Sequence, residues 1–120
     1  MSAVPESKRE NVVFKYRNES GTFYFLLKKK GKSLILDYCS YEDNEFLSAT
    51  FPWRSFWYLI KAFSLVKEGE VCLLADLGGK EEEVKIQKTR ENSLFLTFSN
   101  ICFILDLEEL KESVLKKFRP

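Results

Sequence analysis

Apolar and polar residues alternate along most of the first half of the chain, and a period of two is typical of half-buried β-strands. In the segment that begins at Thr22, Phe23, Phe25 and Leu27 share one face of the predicted strand. Tyr24 and Lys28 share the other face. The alternation and the turn residues between the segments predict four strands, at about 12–17, 22–29, 33–41 and 46–51.

After Pro52 the spacing of apolar residues changes to that of a helix. Proline is well tolerated at the start of a helix, which supports a helix that begins here. Apolar residues then recur at helical spacing, at Trp53, Phe56, Trp57, Ile60 and Phe63. The second half repeats this order, with strands predicted at 71–77, 82–90, 93–98 and 101–105. A last helix with an apolar stripe follows, and Asp106 is its predicted N-terminal cap.

This order of elements predicts an α+β fold of two ββββα repeats, with antiparallel curved sheets and helices packed on one side. We expect one domain at 11–120, in which repeat one spans 11–68 and repeat two spans 70–119. A chain of 120 residues is long enough for one core and too short for two. The polar segment 1–10 has no periodicity, so it is expected to form a flexible lead-in.

The overall charge sets a condition on possible partners. The chain has 19 basic and 18 acidic residues, which leaves a formal charge of +1. A protein that attracts nucleic acid through its total charge is usually more basic, so nucleic-acid binding would require a local basic patch. The 11 Phe, 5 Tyr and 2 Trp residues favour a β-rich structure and supply rings for such a patch.

Little in the sequence points to catalysis or to a metal. The chain has no histidine, no nucleophile with a recognisable base, and no pair of cysteines at metal-ligand spacing, so we expect a non-enzymatic protein without metal or cofactor. Three scattered cysteines, Cys39, Cys72 and Cys102, indicate reduced, mostly buried thiols in an intracellular protein of the nucleus or cytoplasm. We expect no membrane span and no small-molecule substrate. Gly31-Lys32-Ser33 matches the end of a phosphate loop, but the earlier glycine is replaced by Leu26 and a strand follows, which excludes that motif.

The element order resembles that of the PUR domain, in which two repeats of four antiparallel strands and a helix form one unit. The glycine-centred turn at 30–32 and the segment Phe51-Pro52-Trp53-Arg54-Ser55-Phe56 carry the resemblance, which covers about residues 11–119. The Whirly family and the single-stranded-DNA-binding coactivators of RNA polymerase II have a related arrangement. The resemblance implies that single-stranded DNA or RNA binds across the curved sheet, opposite the helices.

A candidate nucleic-acid site lies on the first strands and the turn between the second and third. It comprises Lys15, Arg17, Tyr24, Lys28, Lys30 and Lys32. Rings that stack on bases, beside lysines that neutralise phosphates, are the usual means of binding single strands. Lysines also crowd hairpin tips simply because charge there prevents edge-to-edge association. The alternatives are a protein-interaction or dimerisation module with an exposed apolar patch, and, less favoured, a β-rich domain that binds a lipid or another ligand.

Overall fold

The computed structural model describes residues 11–98 and 100–117, and the expected lead-in at 1–10 lies outside them. The first half has strands β1 (Asn11–Arg17), β2 (Phe23–Lys30), β3 (Ser33–Ser40) and β4 (Glu45–Pro52), followed by helix α1 (Trp53–Phe63). The second half has strands β5 (Gly69–Leu77), β6 (Lys80–Lys88), β7 (Ser93–Phe98) and β8 (Ile101–Asp106), followed by helix α2 (Leu107–Lys117).

All eight strands belong to one antiparallel sheet, in which they follow one another in chain order. The sheet curls into a half-barrel with two helices, and 58% of the structure is strand while 20% is helix. The predicted α+β fold of two ββββα repeats is therefore wrong. The physical reason is that β4 and β5 pair at Thr50 and Asp76, which joins the two halves into one mostly β structure.

The core fills the inner side of the curled sheet. The inward residues of β2 and β3 alternate with outward ones, and they share one core with the five buried apolar residues of the predicted stripe of α1. The aromatic ring of Phe103 on β8 lies 4.6 Å from the ring of Phe25 on β2 and 5.1 Å from that of Tyr38 on β3. The last strand thus packs over the inner face of the first strands, although β1 and β8 do not pair.

The first residue of each helix forms a backbone hydrogen bond with a hairpin turn. The amide of Trp53 donates to the carbonyl of Lys32, and the amide of Leu107 donates to the carbonyl of Asn92, each across 2.9 Å. At the second helix, Asp106 Oδ1 also accepts hydrogen bonds from the amides of residues 108 and 109. The predicted N-terminal cap is confirmed, and it satisfies backbone donors that have no partner inside the helix.

Asparagine supplies the left-handed backbone of three turns. Asn44, Asn92 and Asn100 have φ angles of 53°, 59° and 63°. Asparagine tolerates this conformation better than most residues because its short polar side chain bonds locally. These tight turns keep β3 next to β4, β6 next to β7, and β7 next to β8 in the sheet.

Candidate functional site

The outer face of β1 and β2 carries five of the six residues proposed from the sequence. Strand register places Arg17 beside Tyr24, and Lys15 beside Leu26. Because alternate residues of a strand share a face, Tyr24, Lys28 and Lys30 lie on the same side, opposite the buried Phe25 and Leu27. Lys32 follows β2 in the exposed turn before β3.

These residues form two groups rather than one patch. Arg17 and Tyr24 lie at one end of β2, while Lys30 lies at the other, six residues along the strand or about 20 Å away. Between them, Lys28 forms an ion pair of 3.3 Å with Asp37, whose other oxygen accepts a hydrogen bond from Ser48. The charge of Lys28 is therefore partly balanced within the protein.

A row of four side chains crosses the outer face at the Arg17 end. Register pairs Arg17 with Tyr24, Tyr24 with Cys39, and Cys39 with Phe46, so the row spans β1 to β4. Phe46 is 59% exposed and Tyr24 is half-buried. The two aromatic residues are separated by one strand, or about 10 Å across the sheet.

Tyr41 extends this row beyond the end of β3. Its ring lies 5.8 Å from that of Phe46 in an edge-to-face arrangement, and 64% of the residue is exposed. A hydrogen bond with Cys39 raises the pKa of the Tyr41 phenol, while the charge of Arg17 acts in the opposite direction. We call Arg17, Tyr24, Cys39, Tyr41 and Phe46 the outer row.

Phe46 and Tyr41 were not among the site residues predicted from the sequence. The signal for Phe46 was present, because alternation in β4 places it opposite the buried Ala49 and Phe51. Tyr41 was predicted to be the last residue of the third strand, but it is the first residue of the turn that follows β3. Only the fold brings it to Phe46.

The outer face is divided by charge between the two halves of the sheet. On β1–β4 its strand positions carry four basic residues and one acidic residue: Lys15, Arg17, Lys28, Lys30 and Asp37. On β5–β8 they carry five acidic residues and one basic residue: Glu70, Asp76, Glu81, Glu83, Asp106 and Lys85. The near-neutral total thus conceals a basic and an acidic surface.

The exposure of the three cysteines differs from the prediction. Cys72 and Cys102 are exposed and Cys39 is partly exposed, so the prediction of mostly buried thiols is wrong. All three occupy outward positions of their strands.

Within residues 11–98 and 100–117, no three His, Cys, Asp or Glu side chains are grouped as a metal site would require. Neither helix in this part of the chain is long and apolar enough to cross a membrane.

Comparison of the chain with protein-family models, with curated proteins and with solved structures found no match. The resemblance to the PUR domain stays a prediction from the sequence.

Proposed function

We propose that the protein binds single-stranded DNA or RNA across the outer face of β1–β4. The observation that carries the proposal is the outer row, where Tyr24 and Phe46 lie on one exposed face with the basic Arg17 at its end. Bases stack on the two rings, and Lys15 and Arg17 contact phosphates. No catalytic step is part of the proposal.

The exposure of the rings supports this use of the surface. Phe46 is 59% exposed and Tyr24 is half-buried, so each keeps apolar area in water that a base could cover. Stacking of a base on an aromatic side chain contributes about 1–3 kcal/mol and tolerates any base. Binding by this route therefore favours unpaired bases and shows only modest sequence preference.

The distribution of charge on the protein limits the path of a bound nucleic-acid strand. Glu42, Asp43 and Glu45 surround the turn beyond Phe46, and the outer face of β5–β8 is acidic. Phosphates are repelled from both regions, so the bound strand runs from Phe46 towards Lys15 and Arg17. Such a short path provides about two or three phosphate contacts, which corresponds to a slope of log K against log salt of about −1.5 to −2.

The direct test is the anisotropy of a fluorescent oligonucleotide during titration with the protein, at several salt concentrations. A mixed-sequence single strand is compared with the same strand in duplex form. We expect the single strand to bind more tightly and its affinity to fall with salt at the shallow slope given above. Undetectable binding at low salt, equal affinity for the duplex, or affinity that does not depend on salt would contradict the proposal.

A further inference from the structure

A second surface lies at the opposite side of β1, in a groove between the first and last strands of the sheet. The groove has a volume of about 300 Å³, and its lining includes Phe14, Tyr16, Phe23, Phe25, Phe103 and Ile104. Cys102 and Leu105 also line it, and none of the described residues in its lining carries a charge. The groove is separate from the outer row, whose rings are on the other face of the sheet.

Both walls of the groove are strands that pair on one side only. In the described part of the chain β1 pairs with β2 alone, and β8 pairs with β7 alone. The outer edge of such a strand presents backbone N–H and C=O groups that a further strand can pair with. An apolar groove beside a strand edge is the arrangement that accepts an extended peptide by strand addition.

The apolar surface in the groove is substantial and remains exposed. Tyr16 is 52% exposed, although it lies on the inner face of the sheet beside the buried Phe25. The rings of Tyr16 and Phe23 are 5.7 Å apart, and Phe23 in turn lies 5.3 Å from Tyr38 of the core. The groove floor is therefore continuous with the core and held in place by it.

The residues of β1 determine which side chains an added strand must carry on each face. Phe14 and Tyr16 point to the inner side, and Lys15 and Arg17 alternate with them on the outer side. Neighbouring residues on the same face of paired strands interact directly, and opposite charges there are favourable. A strand added to β1 would thus place apolar side chains beside Phe14 and Tyr16, and acidic side chains beside Lys15 and Arg17.

We propose that this groove binds an extended segment of a partner protein, in which aromatic or aliphatic residues alternate with Asp or Glu. The segment pairs with the edge of β1, fills the groove with its apolar side chains and places its carboxylates next to Lys15 and Arg17. A nucleic acid does not fit the same description, because its phosphates would enter a groove without a charged lining. A second copy of this chain is the competing occupant.

The test uses a fluorescein-labelled peptide of about eight residues in which Phe or Val alternates with Glu. Two peptides serve as controls. One has the same amino acids with its apolar residues in a single block. The other has the alternating sequence with N-methyl groups on the backbone, which remove its hydrogen-bond donors. Binding to the full chain is followed by anisotropy, and hydrogen exchange maps the protected amides. We expect the alternating peptide to bind at least about tenfold more tightly than either control and to protect amides of β1.

Matched variants separate the groove from other surfaces. Tyr16→Glu places a carboxylate in the groove and is expected to weaken peptide binding at least about tenfold, whereas Leu74→Glu, at a residue 57% exposed on β5, leaves it unchanged. Circular dichroism confirms that both variants are folded. Phe46→Ala also leaves peptide binding unchanged, which separates this proposal from the nucleic-acid proposal.

Three results would overturn the inference. The first is that no peptide binds the folded protein at millimolar concentration, and the second is that Tyr16→Glu and Leu74→Glu bind equally well. The third comes from sedimentation velocity without peptide. If the wild type is a dimer and Tyr16→Glu is a monomer, the groove is occupied by a second copy and not by a partner segment.

Discussion

The side-chain ammonium of Lys88 donates a hydrogen bond to the backbone carbonyl of Lys67, 2.8 Å away, and a second one to the carbonyl of Val66. Lys88 is only 6% exposed and lies on the inner face of β6, opposite Gly69. A buried cation thus satisfies two carbonyls in the turn between α1 and β5. This contact ties the end of the helix to the second half of the sheet.

Replacing Lys88 by methionine keeps most of the side-chain length and removes both donors. We expect Lys88→Met to lower the free energy of unfolding by about 1–3 kcal/mol, because the two carbonyls lose their partner. Urea denaturation followed by tryptophan fluorescence measures the loss. Lys85→Met on the same strand is the matched control, since Lys85 is exposed and its ion pair with Glu70 is solvated. Equal midpoints for the two variants would show that the buried contact adds nothing.

Phe46 and Leu74 provide a matched pair for the nucleic-acid proposal. Both are exposed apolar residues on the outer face, at 59% and 57%, but Phe46 lies in the basic half and Leu74 in the acidic half. We expect Phe46→Ala to weaken single-strand binding at least about fivefold, the equivalent of one lost stack, and Leu74→Ala to have no effect. Anisotropy titration at low salt measures both. A loss of affinity of the same size in both variants would mean that the surface binds without stacking.

The positions of most elements could be predicted from the sequence, because alternation, helical periodicity and turn residues are local signals. The helix predicted after Pro52 begins at Trp53, and Asp106 caps the second helix. The fold class could not be predicted from the same signals. Whether β4 and β5 lie in one sheet depends on a long-range pairing between Thr50 and Asp76, and no local pattern records that contact.

The candidate site was predictable to the same extent. The outward position of Tyr24 follows from the alternation with Phe23 and Phe25, and the structure places it so. The ion pair of Lys28 with Asp37 joins residues on different strands, so no local pattern distinguishes this lysine from its neighbours. Contacts between side chains on neighbouring strands can be predicted only when the pairing register is known, and the turn residues alone did not determine that register.

The junction between β4 and β5 is the weakest part of the sheet. A single residue pair, Thr50 with Asp76, joins these strands, whereas eight pairs join β2 to β3. Open clefts of about 420 and 450 Å³ lie at this junction, and both are lined by Thr50 and Asp76. Local opening requires few broken contacts there.

We therefore expect the backbone amides of 48–50 and 74–76 to exchange with deuterium faster than those of 25–28. The measurement is native-state hydrogen exchange read by NMR, with the β2–β3 amides as the internal reference. Equal protection at both places would mean that the packing of α1 and the core holds the junction as firmly as a full ladder of hydrogen bonds. In that case the two halves of the sheet open only when the whole chain unfolds.

The phenol of Tyr41 offers a test of the outer row that needs no ligand. Its hydrogen bond with Cys39 raises its pKa, and the neighbouring Arg17 charge opposes that shift. Cys39→Ala is therefore expected to lower the pKa of Tyr41, and Arg17→Ala is expected to raise it further. NMR of ¹³C-labelled tyrosine measures both, and Tyr41→Phe assigns the signal.

The sign of the linked effect on stability follows from the direction of the shift. Because the pKa of Tyr41 is higher in the folded than in the unfolded chain, the hydrogen bond with Cys39 stabilises the fold below the ordinary tyrosine pKa. The contribution is lost as the pH rises through the raised value. Denaturation curves of the wild type and Cys39→Ala should thus converge in the alkaline range and differ at neutral pH. An unchanged Tyr41 titration in Cys39→Ala would show that the thiol and the phenol do not interact in solution.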